Sequence, residues 1–118
     1  MIVDDNETIV ELLGDILSVE GFEVEEVLSG NECLEKVNGS IDLILLDITM
    51  PGMDGWVVVE KLREMDLDPG PRVILLSALQ ESEVPVDPDD PLVRGYIKKP
   101  FKPELMLKRI RKVLGTAS

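Results

Sequence analysis

The sequence predicts an α/β fold, a doubly wound three-layer sandwich around a parallel sheet, on three observations. Short apolar runs of strand length alternate with helical amphipathic stretches, and several of the runs end abruptly on an acid, a hydroxyl or a lysine. The clearest run lies in Ile41-Asp42-Leu43-Ile44-Leu45-Leu46-Asp47, where Leu43 to Leu46 is unbroken, as in a strand covered by helices on both faces. Pro51-Gly52 and Asp54-Gly55 then force a loop, which puts Asp47 at the carboxyl end of that strand. In open α/β sheets ligands bind along that rim.

The elements follow in order. Met1 to Asp4 is an apolar run ending in acids, long enough only for a clipped first strand. Ile9, Leu12, Leu13, Ile16 and Leu17 recur at i, i+3, i+4, i+7 and i+8, one face of a first helix capped by Asp5 or Asn6 and ended by Gly21. Phe22, Val24 and Val27 suggest a second strand. Ser29-Gly30-Asn31-Glu32 has the form of a capping box and opens a helix carrying Cys33, Leu34 and Val37. After the central strand, Trp56, Val59, Leu62, Arg63 and Met65 mark a third helix closed by Asp68-Pro69-Gly70-Pro71, and Val73 to Leu76 is a further buried strand ending on Ser77. Between Ala78 and Val93, Pro85, Pro88 and Pro91 remove donors at ~3 kcal/mol or more each inside a helix, so a fourth helix is expected only as a turn or two over 79–84. Gly95 to Lys98 forms the last strand. Pro103 opens a final helix with Leu107, Ile110, Val113 and Leu114 inward.

The composition narrows the function. With 118 residues, 44% hydrophobic and 31% charged, and no internal repeat or linker, the chain reads as one domain over 1–118 with a true core. No apolar run approaches the ~20 residues of a membrane span and no signal-peptide pattern opens it, so no membrane partner and a cytoplasmic location are the expectation. Cys33 alone makes neither an internal disulfide nor a cysteine zinc site. Histidine is absent, which excludes Ser-His and Cys-His catalysis and a phosphohistidine on this chain. A net charge of -12 opposes direct binding to nucleic acid. The end, Gly115-Thr116-Ala117-Ser118, reads as frayed, and the residues do not decide between a stand-alone protein and a piece of a larger one.

Every strand end points at the same rim. Strand 1 delivers Asp4 and Asp5, strand 3 Asp47, strand 4 Ser77 and strand 5 Lys98 and Lys99. Carboxylates ~5 Å apart repel by ~3 kcal/mol per pair at an effective dielectric of 20, so the cluster calls for a cation. Oxygen ligands few in number suit Mg²⁺. Beside such an ion Asp47 makes sense as a nucleophile that attacks phosphorus, with a lysine neutralising the transferring oxygens.

Asp4-Asp5, the run Leu-Leu-Asp47-Ile-Thr-Met-Pro51-Gly-Met-Asp-Gly55, Ser77-Ala78 and Tyr96-Ile-Lys-Lys99-Pro100-Phe101 together resemble the receiver domain of two-component response regulators, over the whole chain. The resemblance implies a flavodoxin-like (βα)5 sandwich with sheet order 2-1-3-4-5 and a phosphorylation-dependent switch. Asp47 matches the phosphoacceptor, served by a sensor histidine kinase or a histidine phosphotransfer protein. Asp5, Asp47 and the backbone carbonyl of Thr49 match the direct Mg²⁺ ligands, and Asp4 an acid that acts through water. Ser77 and Tyr96 match the switch hydroxyl and aromatic, Lys99 the phosphate-pairing cation, and Lys99-Pro100 a cis bond. Lys98 is then a solvated neighbour.

The family uses its fourth helix, last strand and last helix as the surface for a homodimer or a target, and the three prolines set this chain apart there. Two rival readings remain. One is a Mg²⁺-dependent phosphatase or phosphotransferase with an aspartyl phosphate, which commonly wants a second acid where Thr49 stands. The other is a degenerate receiver acting only as an interaction module, against which the full set of Asp4, Asp5, Asp47, Ser77 and Lys99 argues. The expectation is therefore a switch with self-catalysed phosphoryl acceptance and hydrolysis, not an enzyme in its own right.

Overall fold

The computed structural model describes residues 1–49, 54–65, 67, 70–79, 87 and 89–115. Its strands are β1 (Ile2–Val3), β2 (Glu26–Val27), β3 (Leu43–Asp47), β4 (Arg72–Ser77) and β5 (Val93–Lys98). They pair throughout in parallel in the order β2-β1-β3-β4-β5. The described helices are α1 (Glu7–Val19), α2 (Gly30–Lys36), α3 (Gly55–Glu64) and α4 (Pro103–Leu114).

Alternation along the strands feeds two cores. Val3, Ile44, Leu46, Val73, Leu75 and Tyr96 face α2 and α3, while Ile2, Leu45, Ile74, Leu76 and Ile97 face α1 and α4. This is the doubly wound architecture expected from the sequence, with the carboxyl ends of the strands on one rim. The expected turn or two of helix over 79–84 lies, from residue 80 on, outside the described residues, as do Pro85 and Pro88.

Local chemistry fixes the helix boundaries. Asn6, not Asp5, caps α1, its side chain accepting the Ile9 amide at 3.2 Å. Glu20 is the C-cap and Gly21 follows it at φ +94°, a conformation that suits a residue without Cβ. Ser29 accepts the Glu32 amide at 3.1 Å, but the Glu32 carboxylate reaches back to the Leu28 amide at 3.4 Å, one residue ahead of the usual capping-box partner. Asp54-Gly55, read in the sequence as loop, instead starts α3: Asp54 is its N-cap, accepting the Val57 amide at 3.1 Å, and Gly55 is its first residue.

Three other expectations shift. The buried stripe of α1 is Val10, Leu13, Gly14 and Leu17, and Leu12 is 50% exposed. A Cβ on Gly14 would come within 2.7 Å of a Glu26 carboxylate oxygen; this residue without an apolar side chain lies in the buried stripe, which is rotated by one position from the apolar pattern. The second strand is confined to Glu26–Val27, because β1 offers only two residues to pair; Phe22 and Val24 pack against the α1/α4 core without joining the ladder. In α4 the fully buried side chains are Met106 and Ile110, with Leu107, Val113 and Leu114 partly buried beside them.

The approach to β5 is clamped. Arg63 at the end of α3 forms a two-pronged pair with Asp90, at 3.0 and 2.5 Å, and the Asp90 carboxylate also accepts the Leu92 amide at 2.8 Å. The Arg63 hydrogen bonds pull the Asp90 pKa down to about 2.

Candidate functional site

The rim gathers groups from three strand ends. Asp4 and Asp5 follow β1, Asp47 is the last residue of β3, and Lys99 follows β5. The register that aligns Val3 with Leu46 brings the two acidic strand ends side by side. One carboxylate oxygen each from Asp4, Asp5 and Asp47 lies within 4.8 Å of the others; Asp4 and Asp47 are buried and Asp5 is exposed. Lys99 Nζ donates to Asp4 Oδ2 at 2.8 Å and stands 3.5 Å from Asp47 Oδ2.

Each buried carboxylate is held on its other oxygen by backbone. Asp4 Oδ1 accepts the Asn6 amide at 2.9 Å, and Asp47 Oδ1 accepts the Thr49 amide at 3.0 Å. Burial pushes the Asp47 carboxyl above its ordinary value; the Thr49 amide opposes this and the charge of Asp4 adds to it. Burial works against the Lys99 ammonium too, but the hydrogen bond to Asp4 and the charge of Asp47 outweigh it and raise its pKa. Three carboxylates thus face one ammonium, an excess of negative charge built from hard oxygen donors. That donor set fits Mg²⁺ or a similar cation.

Ser77 closes β4, and Tyr96 lies in β5, three residues before Lys99. Ser77 is buried at the end of β4, where its Oγ accepts the Leu79 amide at 3.1 Å. Tyr96 is buried in the α2/α3 core, and its hydroxyl donates to the backbone carbonyls of Ser77, at 3.2 Å, and of Leu79. One buried aromatic thus holds the exit of β4. Thr49 is exposed and enters through its amide, and Lys98 is exposed. The Lys99-Pro100 peptide bond is cis. Met50 to Met53, which the sequence reads as loop, lie outside the described residues.

Gly55 is a positioning residue that the sequence did not disclose, since a glycine beside an acid reads as turn chemistry. Its amide donates to the Ile48 carbonyl at 3.1 Å, and a Cβ there would meet Ile48 Cα at 2.5 Å and the Asp47 carbonyl oxygen at 2.7 Å. Both obstacles are backbone atoms of the segment that carries Asp47. Gly55→Ala is therefore expected to destabilise the fold by ~1–3 kcal/mol through overpacking, lowering the melting temperature by ~4 °C or more, and to weaken any cation response of the cluster, both read from melting curves with and without Mg²⁺.

Comparison with known proteins agrees with this geometry. A family model described as "Response regulator receiver domain" matches residues 1–111. The response regulator SaeR of Staphylococcus epidermidis is 34% identical over 122 residues, covering 100% of this chain and 51% of that protein, and SaeR of Staphylococcus aureus is 32% identical over 118 residues, covering 97% and 49%. The chain spans about half the length of these curated relatives. A CheY-like receiver domain protein from Methanospirillum hungatei is 33% identical with a TM-score of 0.79, covering 98% of this chain and 92% of that one. The chemotaxis protein CheY4 of Vibrio cholerae is 29% identical with a TM-score of 0.82, covering 95% and 94%. A match over nearly the whole chain, at these identities and on this fold, establishes that the chain belongs to the receiver domains of response regulators.

Proposed function

We propose that the chain is a phosphorylation-dependent signalling switch in which Asp47 takes a phosphoryl group from a phosphohistidine on a sensor histidine kinase or a histidine phosphotransfer protein. The observation that carries this reading is the shared basin of Asp4, Asp5 and Asp47 with Lys99 bonded into it. Receiver domains generally bind Mg²⁺ at such an acidic pocket. Asp5, Asp47 and the Thr49 carbonyl would hold the ion directly and Asp4 through water. When bound, it offsets the negative charge of the transferring oxygens.

The protein's own groups supply the rest. Because Asp47 Oδ1 is tied to the Thr49 amide, Oδ2, on the Lys99 side, is the oxygen we assign to attack. It bonds to phosphorus as the phosphorus–nitrogen bond of the donor breaks and the electron pair stays on the donor imidazole. Lys99 moves its hydrogen bond from Asp4 to a phosphoryl oxygen, and the Ser77 hydroxyl donates to another. Two charge-assisted bonds of ~1.5–3 kcal/mol give ~3–6 kcal/mol. Shifting a two-state equilibrium from 1:99 to 99:1 takes ~5.5 kcal/mol. Phosphorylation thereby selects between conformations of the Ser77 to Leu79 exit, which Tyr96 holds, and the altered surface regulates a target protein or an output domain.

The chain is in this reading an acceptor and not a turnover enzyme. Incubation with acetyl phosphate and Mg²⁺ is expected to add one phosphoryl group per chain by intact mass, and Asp47→Asn to add none. Multiple turnover on small phosphate esters would favour a phosphatase, and no labelling would leave an interaction module.

A further inference from the structure

Charge is divided unevenly along the chain. From Val93 on it carries eight of its 12 bases and one of its 24 acids. The division shows on the helical layer formed by α1 and α4, which lie side by side over the Ile2, Leu45, Ile74, Leu76 and Ile97 face of the sheet and are tied by Arg111 to Glu20 at 2.7 Å. In α1 there are three acids, Glu7, Glu11 and Asp15, and no base, whereas α4 has four bases and one acid. Among the described residues none of these three α1 acids makes an ion pair, and neither does Lys108 or Lys112.

At ~100° per residue the layer resolves into three stripes. Val10, Leu13, Gly14 and Leu17 point α1 into the core and Glu20 turns toward α4, so Asp15 stands on the crown of α1 and Glu11 on its far side. Met106 and Ile110 point α4 into the core, which sets Leu105, Lys108 and Lys112 on its crown. Between the crowns runs an apolar seam of Ile9, Leu12, Ile16 and Leu107, in which Leu12 is half exposed. Val19 and Leu105 are 85% and 62% exposed on the crowns themselves. The order across the layer is acid, apolar, base.

We propose that this layer is a docking face for a second copy of the chain. Both helices leave the carboxyl ends of parallel strands and return along the sheet, so they run in the same direction. A two-fold axis along the seam, parallel to the helices, lays α1 of each copy on α4 of the other and closes the pair. The acid stripe then meets the base stripe twice, and the seams meet at the axis and cover Leu12. Glu11 and Asp15 repeat at the same four-residue spacing as Lys108 and Lys112, ~6 Å along each helix. Two chains of net charge -12 repel in general, so a contact between copies needs local complementarity of this kind. A second copy supplies both stripes in the reversed order that the face requires.

This face joins the last helix to α1, not to the fourth helix and last strand that the family uses, and it leaves the carboxyl rim open. Helices of 13 and 12 residues, ~20 Å long and ~10 Å apart, make a face of ~400 Å² in outline. That is the low end for specific association, so the pair is weak and reversible. Its formation does not depend on phosphoryl transfer.

Sedimentation of the chain between ~10 µM and ~1 mM is expected to show monomer and dimer in exchange and nothing larger. Glu11→Lys with Asp15→Lys, or Lys108→Glu with Lys112→Glu, sets like charges against each other and should weaken association at least ~tenfold. All four positions are exposed, so both variants should melt close to the parent. An equimolar mixture of the two variants should pair again, since each copy offers the other its complement on both helices. Leu12→Asp, at the seam, should weaken association by itself, and it decides the matter should a reversed variant fail to fold. A parent that stays monomeric at ~1 mM, folded variants that pair as the parent does, or a mixture of folded variants that stays apart would overturn the proposal. Growth beyond a dimer would overturn it too, because that is the mark of a head-to-tail contact.

Discussion

Lys99→Met, measured without divalent cations, is expected to lower stability by ~3 kcal/mol, ~10 °C in melting temperature for a chain of this size. The Lys99 side chain is 20% exposed and that of Asp4 1%, so deleting the ammonium strands a buried carboxylate without its 2.8 Å partner and removes the cation that faces Asp47. Removing one member of a buried pair costs more than the pair contributes, since the remaining charge stays desolvated. Mg²⁺ should then stabilise the variant more than it stabilises the parent, because the ion takes over a neutralisation that the lysine had supplied. Phosphoryl transfer to Asp47 should nevertheless fall sharply, as nothing replaces the ammonium at the transferring oxygens. A variant that melts with the parent would show that the ion pair carries no weight.

Asp47→Asn has the opposite sign. The folded-state pKa of Asp47 is raised by burial, so the neutral form is the one that the metal-free fold prefers. A carboxyl of this kind contributes stability below its unfolded pKa and loses it as pH rises through the folded pKa. At neutral pH the ionised group therefore works against folding, and the asparagine, whose amide oxygen can still accept the Thr49 amide, should stabilise the metal-free chain by ~1–3 kcal/mol, or ~4–10 °C. The advantage should fade below the ordinary carboxylate range, where the parent is neutral as well. Melting curves over pH 3 to 8 check the slope, and an advantage that grows toward low pH would contradict the sign.

Both effects come from a cluster whose members the sequence made legible. Asp4, Asp47, Ser77 and Lys99 each close or follow a strand, and a parallel doubly wound sheet has only one carboxyl rim, so patterning was enough to bring them together. What patterning missed has a physical cause in each case. Apolar periodicity counts side chains, so it passed over Gly14, which has none yet lies in the buried stripe of α1, and it favoured Leu12 over Val10. Alternation placed strand 2 over Phe22, Val24 and Val27, of which only Val27 is in β2, since strand length belongs to the pair and β1 supplies partners only for Glu26 and Val27. Asp54-Gly55 carries turn chemistry and helix-start chemistry in the same two letters. What separates them is the Asp54 side chain, which accepts the Val57 amide and so starts α3.

The hydrogen bonds at the rim were beyond reach for a different reason. That Lys99 rests on Asp4, and that the Tyr96 hydroxyl holds the carbonyls of Ser77 and Leu79, depends on which way long side chains turn. Residue order does not encode that separately from packing. In the proposed switch these contacts are the starting state, from which Lys99 would leave Asp4 and the Ser77 hydroxyl would reach the phosphoryl group.

Calorimetric titration of the chain with Mg²⁺ tests the cation site most directly. One ion per chain, with saturable heat that disappears in Asp47→Asn and a melting temperature that climbs with the ion as ~2.7 kcal/mol of added stability at 100 times the dissociation constant requires, is the predicted result. No binding heat and an unchanged melting curve at millimolar Mg²⁺ would contradict it.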